Sequence, residues 1–244
     1  MSEFSKPGLR VDIGDFVARV TLDRPPVNAF TLQMYQDLGE MFVALGDSDQ
    51  VRCIVLQAAG SKAFSAGFDF KLFAADRGED DPKRPLVLRR MLESVRRCPL
   101  PVIGAISGPA LGAGCVLAAA CDICVATGSA VFSLPEVDFG RVGGSAYVGS
   151  RVTKGFVRYM AFTGRKVSAA EAHAAGLVDF VMSSDDFLSF VDGLAKDIAA
   201  KSAHVLRHTK RALNRIENLP IDEGYEVEQT HSIMARAGLH DAGS

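Results

Sequence analysis

No excess of either charge is present. The 27 basic and 29 acidic side chains among 244 residues leave a formal net charge of −2. A chain so balanced carries no basic footprint for nucleic acid or for an anionic membrane surface. A shortage of apolar residues is also missing: 48% of the chain is hydrophobic, which excludes a disordered or collagenous class. The opening residues MSEFSKPGLR lack the apolar h-region of a secretory signal. Five cysteines (Cys53, Cys98, Cys115, Cys121 and Cys124) lie in apolar surroundings, so reduced thiols in a cytoplasmic protein are expected. Cys121 and Cys124 form a lone CxxC without a second pair or a nearby histidine, and core packing is expected there rather than zinc or redox chemistry. No internal repeat or linker divides the chain. A single domain of this length buries about 70% of its unfolded surface and needs no disulfide or metal staple.

Charge disappears altogether from Cys98 to Cys121, a run long enough to cross a bilayer. Pro99, Pro101 and Pro109 break a helix there, and Gly104, Gly108, Gly112 and Gly114 punctuate it. A membrane span needs unbroken helical hydrogen bonding. The run therefore reads as a buried strand over Pro101–Ile106, a glycine-rich turn, and a buried helix beginning near Gly112.

Elsewhere the apolar spacing predicts alternating strands and helices in front and helices behind. Val11, Ile13, Phe16, Ala18, Val20 and Leu22 alternate with polar residues around Gly14 and Asp15, a hairpin pattern. Thr31 caps a predicted helix with Leu32, Tyr35, Leu38, Met41, Phe42 and Leu45 on its apolar face. Cys53–Gln57, Ile123–Ala126 and Val131–Ser133 read as strands, and Ala63–Gly67 as a short extended piece ending in a turn. Leu86–Val95 reads as a helix, and the polar tract over Arg77–Arg84 as an exposed loop. Ser168 and Glu171 form a capping box, with Gly176 closing the helix. Phe187–Ala200, Val205–Ile216 and Glu223–Ala237 have helical periodicity. His204 and His208 fall one turn apart among Arg207, Lys210 and Arg211, which predicts an exposed basic face and no metal site.

Three segments carry more specific information: Lys62–Asp69 (KAFSAGFD), Ile106–Leu117 (ISGPALGAGCVL) with Asp122 following, and Phe132–Val137 (FSLPEV). In this order and spacing they resemble the crotonase (enoyl-CoA hydratase/isomerase) superfamily. Arg24–Ala29 (RPPVNA) and Thr163–Ala169 (TGRKVSA), running on to Gly176, Leu177 and Val178, match further landmarks. The resemblance extends from about residue 10 to about residue 230. It implies an α/β fold: a crotonase-like ββα spiral core over residues 1–195, with a helical C-terminal portion over 196–244 in the same domain. It also implies an acyl-CoA thioester substrate, no separate cofactor beyond the coenzyme A of that substrate, and assembly as a homo-trimer or homo-hexamer. Relatives continue into another helix after the segment that ends here at Ser244, so a more open pocket, or one closed by a neighbouring chain, is expected.

The same resemblance assigns roles to residues. Thioester substrates of the family pass through an enolate, whose oxygen is held by two backbone N–H groups. Motif position gives these to Ala66 and Ala113, with Gly67 turning the chain beside the first and Gly112 and Gly114 allowing close approach around the second. Coenzyme A binding falls to Arg24, Val27, Ala29, Lys62, Gly67, Phe68, Asp69, Gly112 and Pro135. Arg24 and Lys62 are the phosphate contacts, and Phe68 and Phe70 are candidates for lining the pocket. Family hydratases carry two glutamates. One is present as Glu136; the other position is Val116. A further acid of some relatives falls near Gly144, where no acid stands.

One carboxylate suffices to move a double bond, taking a proton from C2 and returning it at C4. Isomerisation with Glu136 as the single acid/base is therefore the leading expectation. The alternatives are a hydratase or lyase on an unusual acyl-CoA, with Asp138, Tyr147 or Tyr159 replacing the missing acid, and an acyl-CoA-binding protein without turnover. In an extended segment Asp138 points to the same side as Glu136.

Overall fold

A computed structural model describes residues 4–69, 71 and 83–241. Phe70 and most of the polar tract beginning at Arg77 lie outside these residues. The first elements are a hairpin of β1 (Leu9–Gly14) and β2 (Val17–Leu22), with Gly14 opposite Val17. Its two-residue turn, Asp15 and Phe16, has φ of 52° and 61°, the double left-handed geometry that matches strand twist. Phe16 tolerates that conformation with its ring under the Arg52 guanidinium, 3.9 Å from the centroid.

From β2 the sheet continues in parallel through β3 (Cys53–Ala58), β4 (Val102–Ile106), β6 (Ile123–Thr127) and β9 (Phe180–Met182), giving the order β1-β2-β3-β4-β6-β9. Parallel strands are covered on both faces, and the two-residue side-chain period sorts them here. Ile54, Leu56, Val102, Ile106, Cys124 and Ala126 enter the main core with α1 (Leu32–Asp47), α2 (Arg84–Arg97) and α3 (Ala113–Ala120). Cys53, Val55, Ile103, Ala105 and Val125 face the other way. They pack on Phe187, Val191, Ala195 and Ala199, one stripe at i, i+4 spacing on α7 (Phe187–Ala199).

A second, three-stranded sheet joins β5 (Ala110–Leu111), β7 (Val131–Ser133) and β8 (Val167–Ser168). After β7 comes a 3₁₀ turn, Pro135–Phe139, then α4 (Ser145–Gly149), α5 (Lys154–Thr163) and α6 (Ala169–Ala175). The capping box of Ser168 and Glu171 forms as expected, and Gly176 ends α6 at φ 91°. The α/β fold with a helical C-terminal part is the one implied by the resemblance. Among the described residues no helix is long and apolar enough to cross a membrane; the uncharged run became β4, a turn, β5 and α3.

The C-terminal helices α8 (Ala203–Ile216) and α9 (Ile221–Asp241) correct one expectation. Arg211 is exposed as expected, but Lys210 and Arg207 turn inward. Lys210 is 4% exposed, and its Nζ donates to the Leu100 carbonyl at 2.9 Å and to Asp122 Oδ2 at 2.6 Å. Arg207 donates to the carbonyls of Gly46 and Ser48. His208 turns toward α9, with its Nδ1 3.2 Å from that of His231. Long basic stems reach buried acceptors while their helix stays amphipathic.

All five cysteines are buried and free. Burial pushes the Cys53 and Cys124 thiols up to about 12, which keeps them protonated and unreactive.

Lys210→Met is expected to lower stability by about 2–3 kcal/mol, because it leaves the Asp122 carboxylate without its counter-charge. Asp122 is 29% exposed, which places the loss at the low end for a buried pair. Denaturant melts of Lys210→Met and of the double variant with Asp122→Asn check this, the double variant being expected to recover part of the loss.

Candidate active site

The smaller sheet places the chemistry. Strands β5 and β7 run in parallel, so they leave the sheet at the same end. Two residues after β5 the chain starts α3 at Ala113, and three after β7 it reaches Glu136. The Gly112 N–H donates to the Ser133 carbonyl at 2.9 Å, which locks the two exits together. Gly112 has φ 51°, and a Cβ there would lie 3.0 Å from Glu136 Oε1. The carboxyl thus stands against the first turn of α3, whose leading N–H groups have no intrahelical acceptor and carry the positive end of the helix dipole.

A second turn faces this one. Ser65 pairs with Ala110: its N–H donates to the Pro109 carbonyl, and its own carbonyl accepts from Leu111 at 2.9 Å. Beyond it Gly67 adopts φ 83°, with the site of its absent Cβ 2.8 Å from the Leu111 oxygen and 3.3 Å from the Ala113 nitrogen. On α3, the absent Cβ of Gly114 would come within 2.6 Å of the Ser65 oxygen. A side chain at either position would part the two turns.

Asn28 holds the arrangement from behind. It is buried with φ 50°. Its Oδ1 accepts from the Arg24 N–H at 2.9 Å, and its Nδ2 donates to the Ala59 and Ala63 carbonyls, both at 3.0 Å. Its own carbonyl accepts from Ser65 Oγ at 2.7 Å, and that oxygen in turn accepts from the Gly67 N–H. The amide is satisfied on both its donor and acceptor sides, which fixes its rotamer.

Glu136 Oε2 is a buried oxygen with no hydrogen-bond partner among the described residues. Desolvation pushes the Glu136 carboxyl above its ordinary value, while its own backbone N–H and the Arg84 guanidinium pull the other way. Among the described residues, no second acid is found to act on it. Val116 is buried, and the Cα of Gly144 lies so close that a Cβ there would be 2.4 Å from Val116 Cγ2. Val116 takes the space that a side chain at position 144 would need, so both further positions at which the resemblance implies an acid are closed.

The structure brings together Val27, Ala29, Gly67, Phe68 and Asp69, through a bridge of Phe30 to Phe68 and a bond from the Ala66 N–H to the Val27 carbonyl at 2.9 Å. That last bond corrects the expected role of Ala66: its N–H is already spent on Val27 and is not a preorganised donor. Ala113 keeps its expected place, as the first residue of α3. Pro135 precedes Glu136 in the same 3₁₀ turn. Lys62 is exposed at the head of the second turn. Arg24 commits its guanidinium to the Ala29 carbonyl and to Asp69 Oδ2, both at 2.8 Å, so it orders the loop rather than standing ready as a phosphate contact.

Asp138 is corrected as well. The segment is a 3₁₀ turn and not extended, so residues two apart diverge, and Asp138 faces Gly164. The charges acting on Tyr147 are Glu93, Arg96 and Arg97 of α2, and Tyr159 is an exposed residue of α5. Sequence reasoning overlooked Asn28 and Arg84 as site residues. Among the described residues, no group of three or more His, Cys, Asp or Glu side chains is placed to hold a metal.

A family model described as Enoyl-CoA hydratase/isomerase matches residues 12–235. A Mycobacterium tuberculosis protein named (7aS)-7a-methyl-1,5-dioxo-2,3,5,6,7,7a-hexahydro-1H-indene-carboxyl-CoA hydrolase is 34% identical over 229 residues, covering 92% of this chain and 92% of its own. The carnitinyl-CoA dehydratase of Escherichia coli strain K12 is 31% identical over 86% of this chain and 81% of its own. Among solved structures, an enoyl-CoA hydratase from Mycobacterium smegmatis superimposes with a TM-score of 0.88 at 30% identity, covering 94% of this chain and 91% of the other.

Gly114→Ala tests the contact between the two turns. Alanine usually favours a helix over glycine by about 1 kcal/mol, yet here its methyl group meets the Ser65 carbonyl, and a net loss of about 1–3 kcal/mol is expected. Gly193→Ala on α7, where a Cβ would meet nothing within 4 Å, is expected to gain about 0.5–1 kcal/mol. Thermal melts of the two variants check the contrast.

Proposed function

The chain belongs to the enoyl-CoA hydratase/isomerase family, and from that premise we propose that it shifts the double bond of a 3-enoyl-CoA thioester to the 2-position. The observation that carries this reading is one buried carboxyl with an unpartnered oxygen, the only such carboxyl among the described residues, in a site where the two other acid positions implied by the resemblance are taken by Val116 against Gly144. Water addition uses a base for water and a donor to carbon. A double-bond shift uses one group for both transfers.

In this mechanism the ionised Glu136 takes the proton from C2. The electron pair of that C–H bond delocalises through the thioester and the double bond as a dienolate. The same carboxyl then delivers its proton to C4, leaving the 2-enoyl thioester. Negative charge on the thioester oxygen is held by backbone donors at the start of α3, where Ala113 lies in the positive end of the helix dipole. The second donor is assigned to the turn at Gly67, which abuts the Ala113 nitrogen. The Gly67 carbonyl accepts from the Phe30 N–H at 2.7 Å. In a planar trans peptide the Phe68 N–H points the opposite way, away from Phe30. Val116 and the surrounding apolar wall keep water from competing for the intermediate.

Glu136→Gln is expected to reduce isomerisation of 3-enoyl-CoA by at least about a hundredfold without moving the melting midpoint. Because Glu136 acts as a base from a raised pKa, kcat/KM is expected to rise with pH through a limb above the ordinary glutamate range, and the variant is expected to lose that limb. Unchanged turnover in Glu136→Gln overturns the reading, and hydration of crotonyl-CoA by the wild-type protein replaces it with a hydratase.

A further inference from the structure

Helix α9 is 21 residues long, and its packing partner among the described elements is α8. Little apolar surface holds it there. Its large apolar side chains Ile221, Tyr225, Ile233 and Met234 stand exposed, while the residues it buries are the small Gly224 and Ala235, with Val227 and Glu228 half-buried beside them. Histidines fill the rest of the seam. His208 Nδ1 lies 3.2 Å from His231 Nδ1, with the ring centroids 5.5 Å apart. His204 meets the His208 ring edge-on at 4.7 Å, and its own Nε2 lies 3.4 Å from the Met234 carbonyl oxygen.

Two ring nitrogens at that distance share one proton: one Nδ1 carries it and donates, and the other offers its lone pair. The pair can hold one positive charge and keep this bond. With both rings charged every ring nitrogen is an N–H, no lone pair remains, and like charges face each other. We propose that the shared proton is a latch: α9 rests on α8 while one of the two Nδ1 atoms is bare, and charging both rings releases the helix. The surroundings oppose the second charge. The charged groups acting on His208 are His204 and Arg211 from its own helix and His231 from α9, none of them an acid. Arg207 and Lys210 point away, to the carbonyls of Gly46 and Ser48 and to Leu100 and Asp122. Glu228, one turn before His231 on the inner side of α9, can neutralise one ring but returns no lone pair to the other. Burial, and then those neighbouring charges, push the His208 imidazole below the ordinary histidine value. A group so displaced stabilises the closed seam above the ordinary histidine range, and that contribution is lost as the pH falls through it.

Hydrogen–deuterium exchange of the full chain, corrected for the intrinsic pH dependence of amide exchange, reads the latch directly. Between about pH 7.5 and about pH 5, protection of the α9 amides is expected to fall about tenfold, a size that histidines of ordinary pKa about 6.5 can supply over that range. Amides of β3 and β4 are expected to keep their protection. His208→Gln and His231→Gln each leave an amide able to bond the remaining ring, which can then take its charge without losing that bond. Both variants are therefore expected to hold α9 with less than about a twofold change across the same range. His204→Gln, whose ring faces a carbonyl and not a bare nitrogen, is expected to retain the step. Unchanged α9 protection in the wild type, or an equal loss in β3 and β4, would overturn the proposal. So would a step that survives in both His208→Gln and His231→Gln, one that disappears equally in His204→Gln, or an α9 already unprotected at about pH 7.5 in both of the first two variants.

Discussion

Two backbones touch at Ser65 and Gly114, and the site is a consequence of that contact. A methyl group at residue 114 would stand 2.6 Å from the Ser65 oxygen, so the turn after Ala63 and the first turn of α3 are adjacent only because that group is missing. Asn28 then makes the contact permanent. Its side chain and carbonyl bind both ends of the loop that carries Ser65, and Ser65 passes the constraint to Gly67 through its hydroxyl. A donor group for a developing oxyanion has to be in place before the charge arrives. Here that preorganisation is built from main-chain bonds and one buried amide, not from flexible side chains.

The chemistry follows from a balance at Glu136. Removing a carboxyl from water disfavours its charge, and the start of α3 and the Arg84 field restore part of it. The outcome is a carboxyl that holds its proton more firmly than a free glutamate does, and it is the group to which the proposed shuttle between two carbons is given. Val116, where the resemblance implies an acid, adds no like charge and seals the wall against Gly144.

Much of this was readable from local sequence. The hairpin, the Thr31 cap, the capping box at Ser168 and the strand–turn–helix of the uncharged run all arise from interactions a few residues apart, and all formed. The residues misjudged are those whose partners are remote in sequence. Ala66 has the right neighbours in its motif, but its N–H direction is decided by pairing with Val27. Asp138 diverges from Glu136 because Pro135 opens a 3₁₀ turn. Lys210 sits in a basic run, yet its acceptors lie at Leu100 and Asp122, on β4's flank of the molecule.

The five cysteines add a property unrelated to turnover. They sit at the sheet, at the end of α2 and along α3, each inaccessible in the folded chain. A thiol reagent in solution therefore meets none of them until the surrounding packing opens. Alkylation would then measure opening events rather than surface chemistry, with Cys53 reporting on the layer beneath α7 and Cys115 on the layer beneath the site. The protein carries its own set of depth markers, distributed across both faces of one sheet.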